Sequence, residues 1–407
     1  MINDRKKDFF YNLLGVSFNA FNSFFYLIIV SRILGMNDAG IFTTCFTLSC
    51  FFVIIGTYSG RVFQVTDIKE EINNKEYIFN RIITCSIMIF VCIIYSFIKN
   101  YDFYKFLILL ILTFAKCAEA FSEVLYGIIQ KNNKLYKVGF SLIVKSLISL
   151  ILFYLSIKVF KNLYIACFSI FMSWIAIIFL YDFPVAKKYI IINERLNIKK
   201  SFALFKYGFY TFAFMLLSVY VISLPKYYAD IFLNNELQAV FGIIFMPSSV
   251  MILISQYVIS PYVNDLSVTV KNKNFYLFKE IITKIIIGFG LIGIFAILFM
   301  KLFGIQILNF IYNSSIDNYS ADIIIILFGA FFSAISNVFS TALTSLRYTF
   351  IQLLIYIVCS ILGTLIIIIM LQNYGIYGAS VGYLFIMLIQ FLMYAIVYSV
   401  TLKKVVK

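Results

Sequence analysis

A cluster of ionisable residues lies inside one long apolar segment of the chain. Lys116, Glu119 and Glu123 are three and four residues apart, so they share one face of a helix. An ionisable group within a membrane costs about 3 kcal/mol or more and therefore normally faces protein or water. Small residues surround the cluster and permit close helix packing; they are Ala115, Cys117, Ala118, Ala120 and Ser122. This pattern is typical of a buried charge network or of a hydrated site for a charged ligand.

A fourth charged candidate, Lys145, lies in the next apolar segment. A short connection joins the two segments, so we predict that they run antiparallel. Glu123 and Lys145 would then both lie about 10 Å into the membrane, which makes an ion pair between them geometrically feasible. Two interpretations stay open. The charges could neutralise one another and lock the helices together, or they could line a cavity that receives an anionic headgroup or a coupling ion.

Further polar candidates lie near the ends of apolar segments or within the first one. Arg32, Arg61 and Lys226 are basic, and each could instead extend its charged end to the membrane surface. Asn19 and Asn22 could contact hydroxyl groups of a ligand, although hydrogen bonding between helices is an alternative role for both. The sequence alone does not decide between these roles.

The elements that must position these residues are membrane-spanning helices. Hydrophobic residues make up 63% of the chain and charged residues 13%, against about 45–50% and 25% in soluble proteins. The apolar runs are too long and too uniform for the alternating strands of a barrel. We therefore predict an all-α integral membrane fold with about twelve spans. They cover residues 9–34, 40–60, 79–98, 104–130, 138–158, 163–182, 204–225, 237–263, 280–300, 321–345, 350–371 and 376–401.

The basic residues orient these predicted spans. Most of the 33 Lys and Arg residues fall on one side when the predicted loops alternate across the membrane. By the positive-inside rule this side is the cytoplasm, and both termini lie there. Examples from this side are Lys69, Lys134, Arg195, Lys404 and Lys407. The net charge of +15 is thereby explained without a nucleic-acid partner.

A polar linker at residues 182–206 divides the predicted spans six and six. Each half would begin in the cytoplasm, as expected of two parallel repeats. We therefore predict an N-terminal lobe over residues 1–190, with helices 1–6, and a C-terminal lobe over residues 191–407, with helices 7–12.

The sequence lacks the residues and motifs that several classes of chemistry require. The chain has no histidine, which excludes histidine-based acid–base chemistry and histidine metal sites. It has neither a phosphate-binding GxxxxGK[ST] loop nor a GxSxG element. No external loop is long enough to fold alone. We expect transport rather than catalysis and no cofactor, with a proton or sodium gradient as a candidate energy source.

Short segments spread along nearly the whole chain carry a family resemblance. They are RILGMNDAGIF at 32–42, QVTDIK at 64–69, YGIIQK at 126–131, LPKYY at 224–228, LQA at 237–239 and MP at 246–247. Their order and spacing resemble the polysaccharide flippases of bacteria, which move O-antigen or capsule repeat units. These form the oligosaccharide-lipid exporter branch of the multidrug/oligosaccharidyl-lipid/polysaccharide exporter superfamily.

The resemblance implies two six-helix lobes around a central cavity that opens alternately to either side of the membrane. It implies an undecaprenyl-pyrophosphate-linked oligosaccharide as cargo, a bacterial plasma membrane as location, and polysaccharide polymerase and chain-length machinery as partners alongside membrane lipids. The candidates for binding phosphate are then Arg32, Arg61, Lys116, Lys145 and Lys226. Glu119 and Glu123 become candidate counter-ions or coupling groups, and Asn19 and Asn22 candidate sugar contacts.

Two alternatives remain for the function. An integral membrane polymerase or glycosyltransferase would have a similar hydropathy, but a larger external loop with catalytic residues is expected of it. A drug exporter of the same superfamily would usually carry cationic cargo, which a cavity rich in carboxylates suits better than one that contains lysine.

Overall fold

The computed structural model describes residues 2–67, 72–190 and 196–406. Three of the basic residues that orient the spans, Lys69, Arg195 and Lys407, lie outside these ranges, as does the end of the QVTDIK segment. The described residues form α-helices joined by short turns, and no strand occurs among them.

Sixteen α-helices follow one another along the described chain. They are α1 (Ile2–Ile33), α2 (Met36–Thr57), α3 (Gly60–Thr66), α4 (Asn74–Ile98), α5 (Phe103–Lys131), α6 (Leu135–Phe160), α7 (Leu163–Ile177), α8 (Phe183–Lys187), α9 (Ile198–Phe232), α10 (Asn235–Ile244), α11 (Met246–Ile259), α12 (Tyr262–Lys271), α13 (Phe275–Phe299), α14 (Ile305–Tyr312), α15 (Ser320–Ser345) and α16 (Thr349–Val406). Two π-helical turns, Ile178–Asp182 and Met300–Gly304, and one 3₁₀ turn, Asp317–Tyr319, interrupt or precede them.

The helices confirm the predicted number of spans. Ten helical segments of the described chain are long and apolar enough to cross a membrane. Helix α5 is absent from that set, because its charged residues lower its apolar character. Helix α16 counts once in it, although its backbone breaks at Gly375, where φ is 57° and ψ is −132°. With α5 and both halves of α16, the described residues contain the predicted twelve spans.

The chain divides into two compact units, Met1–Leu216 and Leu217–Lys407. The first unit contains α1 to α8 and the beginning of α9, and the second contains the remainder. The dividing point lies within α9, whereas the lobe boundary expected from the sequence lies between residues 190 and 191. That boundary stays a prediction.

In the first unit, α5 packs against α2, α4 and α7, while α1 packs along α6. Two glycines allow the α1–α6 approach, because a Cβ on Gly15 would lie only 2.5 Å from the carbonyl oxygen of Gly139. The charged helix α5 therefore has neighbours on several sides. Its ionisable residues face other helices of the same unit.

Candidate functional site

The charged residues of α5 lie on one face, as their spacing predicts. Lys116 Nζ donates to Glu119 Oε2 at 2.6 Å, and its ammonium also lies 5.2 Å from the centre of the Phe46 ring on α2. The two side chains are 17% and 24% exposed. Partial exposure within an apolar helix means that this pair borders space rather than packed side chains.

A small cavity of about 40 Å³ adjoins this pair. Its lining includes Asn19 and Asn22 from α1, Lys116 and Glu119 from α5, and Trp174 from α7. A polar cavity of this size has room for one or two water molecules but not for a ligand. The structure therefore brings four of the residues selected from the sequence to one small polar space.

Asn22 also has a structural role. It is 6% exposed and its Nδ2 donates to the main-chain oxygen of Ser146 on α6 at 2.9 Å. The same nitrogen lies 3.3 Å from the hydroxyl oxygens of Tyr26 and Ser149. These contacts show the helix–helix hydrogen bonding that the sequence left open for this residue.

Glu123 pairs with Arg61 and not with Lys145, so the pairing inferred from depth alone is wrong. Arg61 Nη1 lies 3.1 and 3.0 Å from the two carboxylate oxygens of Glu123. Its Nε and Nη2 donate to Gln130 Oε1 at 3.1 and 2.9 Å. The sequence carries no signal of this, because the backbone between α2 and α3 bends at Tyr58 and Ser59, both left-handed with φ of 43° and 54°. The bend directs α3, and Arg61 with it, towards α5.

Lys145 pairs instead with Asp182, and both side chains are fully buried. Its ammonium also donates to Ser122 Oγ at 2.7 Å and to the Tyr126 hydroxyl at 2.9 Å. Ser141 donates to the other carboxylate oxygen of Asp182 at 2.6 Å. A buried ion pair is tolerated only when such additional hydrogen bonds satisfy it. The three ammonium hydrogens are matched by three protein acceptors, which favours a structural role; contact of Lys145 with cargo stays a prediction.

Asp182 is a member of this network that the sequence patterns do not reveal. It ends a π-helical turn, Ile178–Asp182, that follows α7 without a break. The sequence places it at the start of the polar linker, because proline and lysines follow it. The available signal is one acid at the end of the otherwise uncharged run 163–181.

A larger cavity of about 460 Å³ lies in the same unit. The charged and amide side chains that line it are Arg61, Arg81, Glu119, Glu123 and Gln130. Glu119 lines both cavities, so the two spaces share one carboxylate. The volume is within the range of ordinary ligand pockets.

Arg81 is a second residue that the sequence patterns do not single out. It lies about two turns after the start of α4 and is 2% exposed, although hydropathy places it with the cytoplasmic loop charges. Its Nη1 donates to the main-chain oxygen of Gly56 at the end of α2, which also accepts from Thr84 Oγ1 at 2.7 Å. A guanidinium held at a helix end beside a cavity is suited to bind an anion.

Two other sequence candidates lie elsewhere. Arg32 is exposed in the last turn of α1, and it lines neither cavity. Lys226 belongs to the second unit, where its ammonium lies 4.3 Å from the centre of the Phe245 ring. Their roles in binding stay predictions. No group of three or more Cys, Asp or Glu residues suited to a metal ion occurs in the part of the chain that the structure describes.

Solved structures of membrane transporters and of a flippase share this fold. The lipid II flippase MurJ in its inward closed conformation matches with a TM-score of 0.70 and 17% identity, over 100% of this chain and 90% of that one. The eukaryotic MATE transporter AtDTX14 matches with 0.69 and 12%, over 100% and 98%. The MATE transporter VcmN from Vibrio cholerae, in its bent form, matches with 0.65 and 14%, over 99% and 98%.

These similarities establish the fold as that of MATE transporters and of MurJ, and confirm the all-α membrane class predicted from composition. No family model matches the sequence, and no curated protein matches it either.

Proposed function

We propose that the protein is a flippase that moves an undecaprenyl-pyrophosphate-linked oligosaccharide from the cytoplasmic to the outer leaflet of a bacterial plasma membrane by alternating access. One observation carries the proposal. A cavity large enough for a ligand lies within a membrane-spanning helical unit and is lined by two guanidinium groups, Arg61 and Arg81. The fold shared with a lipid II flippase supports the same class of cargo.

The chemistry of this lining suits such a cargo. A lipid-linked oligosaccharide presents a pyrophosphate, sugar hydroxyls and a long apolar tail. Guanidinium groups bind phosphate oxygens in bidentate fashion. Carboxylates accept hydrogen bonds from sugar hydroxyls, and amides both accept and donate them. Arg61, Arg81, Glu123 and Gln130 offer both kinds of group in one space.

In this proposal the protein makes and breaks no covalent bond, and it needs no cofactor. Glu119 borders both cavities, which makes it our candidate for a group that responds to a proton or sodium gradient. The partners would be membrane lipids, a polysaccharide polymerase and the chain-length machinery that use the flipped unit. Both termini would lie in the cytoplasm, as the positive charges indicate.

A drug exporter is the second candidate, because MATE transporters share the fold and two carboxylates line the larger cavity. Those carboxylates, Glu119 and Glu123, could meet a cationic drug. However, Glu119 is already paired with Lys116 and Glu123 with Arg61, and Arg81 adds a further positive charge. The local charge therefore favours an anionic cargo.

The decisive experiment is deletion of the gene in a strain that makes the surface polysaccharide. We expect lipid-linked repeat units to accumulate in the cytoplasmic leaflet, measured by lipid extraction and by protection from an external glycosidase. Accumulation of single, unpolymerised units in the outer leaflet would instead identify a polymerase. An unchanged lipid pool with raised sensitivity to cationic drugs would identify a drug exporter.

A variant at the charged face tests the site within that assay. Lys116→Ala leaves the Glu119 carboxylate without its 2.6 Å partner at the edge of both cavities. We expect surface polysaccharide to fall at least severalfold at normal protein level, which corresponds to a transport barrier higher by about 1 kcal/mol or more. Wild-type polysaccharide from this variant would remove Lys116 from the site. Lys284→Ala, which breaks an exposed pair of the second unit, is the matched control.

A further inference from the structure

One buried cation of the first unit, Arg81, differs from its neighbours in its partners. Arg61, Lys116 and Lys145 pair with Glu123, Glu119 and Asp182. Among the described residues, Arg81 has no carboxylate within ion-pair distance. A buried unpaired charge is costly, so a group of this kind normally has a ligand or a functional reason to remain charged.

The hydrogen bonds of Arg81 leave part of its guanidinium available. Nη1 donates to the Gly56 main-chain oxygen, whereas Nε has no hydrogen-bond partner among the described residues although the side chain is only 2% exposed. Gly60 gives the guanidinium its room, because a Cβ there would lie 2.8 Å from Arg81 Nη2. A buried donor without a protein partner, beside a cavity of about 460 Å³, can donate to an anion that enters the cavity.

Arg61 lines the same cavity, but its donors are occupied by the protein itself. Arg61 Nη1 donates to both carboxylate oxygens of Glu123, and Arg61 Nε and Nη2 donate to Gln130 Oε1. The Arg61 and Glu123 side chains are 23% and 29% exposed. An ion pair with this access to solvent is weak, so a doubly charged anion can displace the carboxylate.

We propose that Arg81 and Arg61 together form a binding site for a diphosphate, and that Glu123 pairs with Arg61 when no anion is bound. Arg81 supplies the permanent positive charge, and Arg61 exchanges its carboxylate for a phosphate oxygen. Glu123 thereby keeps the site neutral enough to remain folded while empty, and it lowers the affinity so that cargo can leave. This inference takes its ligand class from the proposed function.

The test uses the full-length protein purified in detergent and titrated with inorganic pyrophosphate at constant ionic strength by isothermal calorimetry. We expect binding by the wild type. Arg81→Lys should weaken it about tenfold or more, because an ammonium keeps the charge but loses the guanidinium fork. Arg347→Lys, at an exposed arginine of the second unit, should leave the Kd unchanged. An unchanged Kd for Arg81→Lys, or no binding by the wild type, would overturn the site.

The Glu123→Gln variant tests whether Glu123 competes with the anion for Arg61 or only stabilises the fold. Removing its charge frees Arg61, so we expect pyrophosphate to bind about fivefold more tightly. A simple loss of structure would weaken binding instead. Glu280→Gln, which removes the acid of the exposed Glu280–Lys284 pair, is the matched control. Unchanged or weaker binding by Glu123→Gln refutes the exchange at Arg61.

A second variant covers the case in which Arg81→Lys does not give a monodisperse protein. Gly60→Ala keeps every charge but places a methyl group against Arg81 Nη2, and it should weaken pyrophosphate binding in the same direction. Gly288→Ala, where a Cβ meets nothing within 4 Å, is its control. Equal affinity of Gly60→Ala and wild type would contradict the role of Arg81, and equal binding of sulfate would contradict the diphosphate assignment.

The outcomes are separate from those of the deletion experiment. Pyrophosphate binding that depends on Arg81, without accumulation of lipid-linked sugar in the deletion strain, would retain the site and reject the flippase. Accumulation without an Arg81-dependent affinity would retain the flippase and reject the site.

Discussion

The Lys145–Asp182 pair allows the interpretation of a structural ion pair to be tested quantitatively. Lys145→Met replaces the ammonium with an apolar side chain of similar length. It leaves the Asp182 carboxylate fully buried, with the Ser141 hydroxyl as a donor and without its cation. Breaking one partner of a buried pair costs about 3–5 kcal/mol. We therefore expect a large loss of stability.

The loss can be measured as a shift in melting temperature. One kcal/mol corresponds to about 2–4 °C for a domain of 150–250 residues, so we expect Lys145→Met to melt about 6–20 °C lower. The assay is thermal unfolding in detergent, followed by loss of the monodisperse chromatographic peak. All variants are heated at one fixed rate, because the apparent melting temperature of an irreversible transition depends on that rate.

The double variant provides the stronger evidence. Lys145→Met combined with Asp182→Asn removes both charges, and we expect it to recover most of the lost melting temperature, since neutral replacements of buried pairs are often well tolerated. Lys284→Met, which breaks the exposed Glu280–Lys284 pair, should shift melting by no more than about 2 °C. If Lys145→Met melts like the wild type, or if the double variant is additive, the pair does not stabilise the unit and the reasoning fails.

Two further predictions concern the packing of α1 on α6. Gly139→Ala places a Cβ against main-chain atoms of Tyr11, so we expect thermal unfolding to show a loss of about 1–3 kcal/mol in stability. Gly290→Ala, where a Cβ meets nothing within 4 Å, is the control and should not destabilise the protein. Equal melting temperatures of the two variants would contradict the close approach of α1 and α6. Asn22→Ala removes the bond to the Ser146 carbonyl, and we expect a cost of about 1–3 kcal/mol in the same assay. An unchanged melting temperature for Asn22→Ala would refute the structural role of this residue and favour a contact with cargo.

The sequence determined the membrane class and the number of spans, because each apolar segment has its own favourable transfer energy to lipid, independent of its neighbours. The two departures from a simple hydropathy pattern had local causes. Helix α5 carries Lys116, Glu119 and Glu123, and α16 is broken at Gly375, where only the backbone conformation separates two spans. Helical spacing also determined the shared face of α5, since residues three and four apart always adjoin.

The partners of the charged residues were decided only by the tertiary structure. Depth in the membrane made Glu123 and Lys145 plausible partners, yet a bend at Tyr58 and Ser59 carries Arg61 to Glu123. A π-helical turn carries Asp182 to Lys145 in the same way. Neither irregular backbone has a clear signature in the sequence, and both lie against distant parts of the chain. The Tyr58 hydroxyl donates to the main-chain oxygen of Phe205, and Asp182 pairs with Lys145.

Arg81 shows the same division between local and long-range information. Its position about two turns into α4 makes it resemble an ordinary cytoplasmic loop charge, and hydropathy alone supports that interpretation. Burial against the end of α2 and beside the cavity is a property of several helices together. The sequence determined that Lys116, Glu119, Glu123 and Lys145 are charged residues of apolar spans. The packing of helices decided which charges pair with one another, and that Arg81 is buried without a carboxylate partner among the described residues.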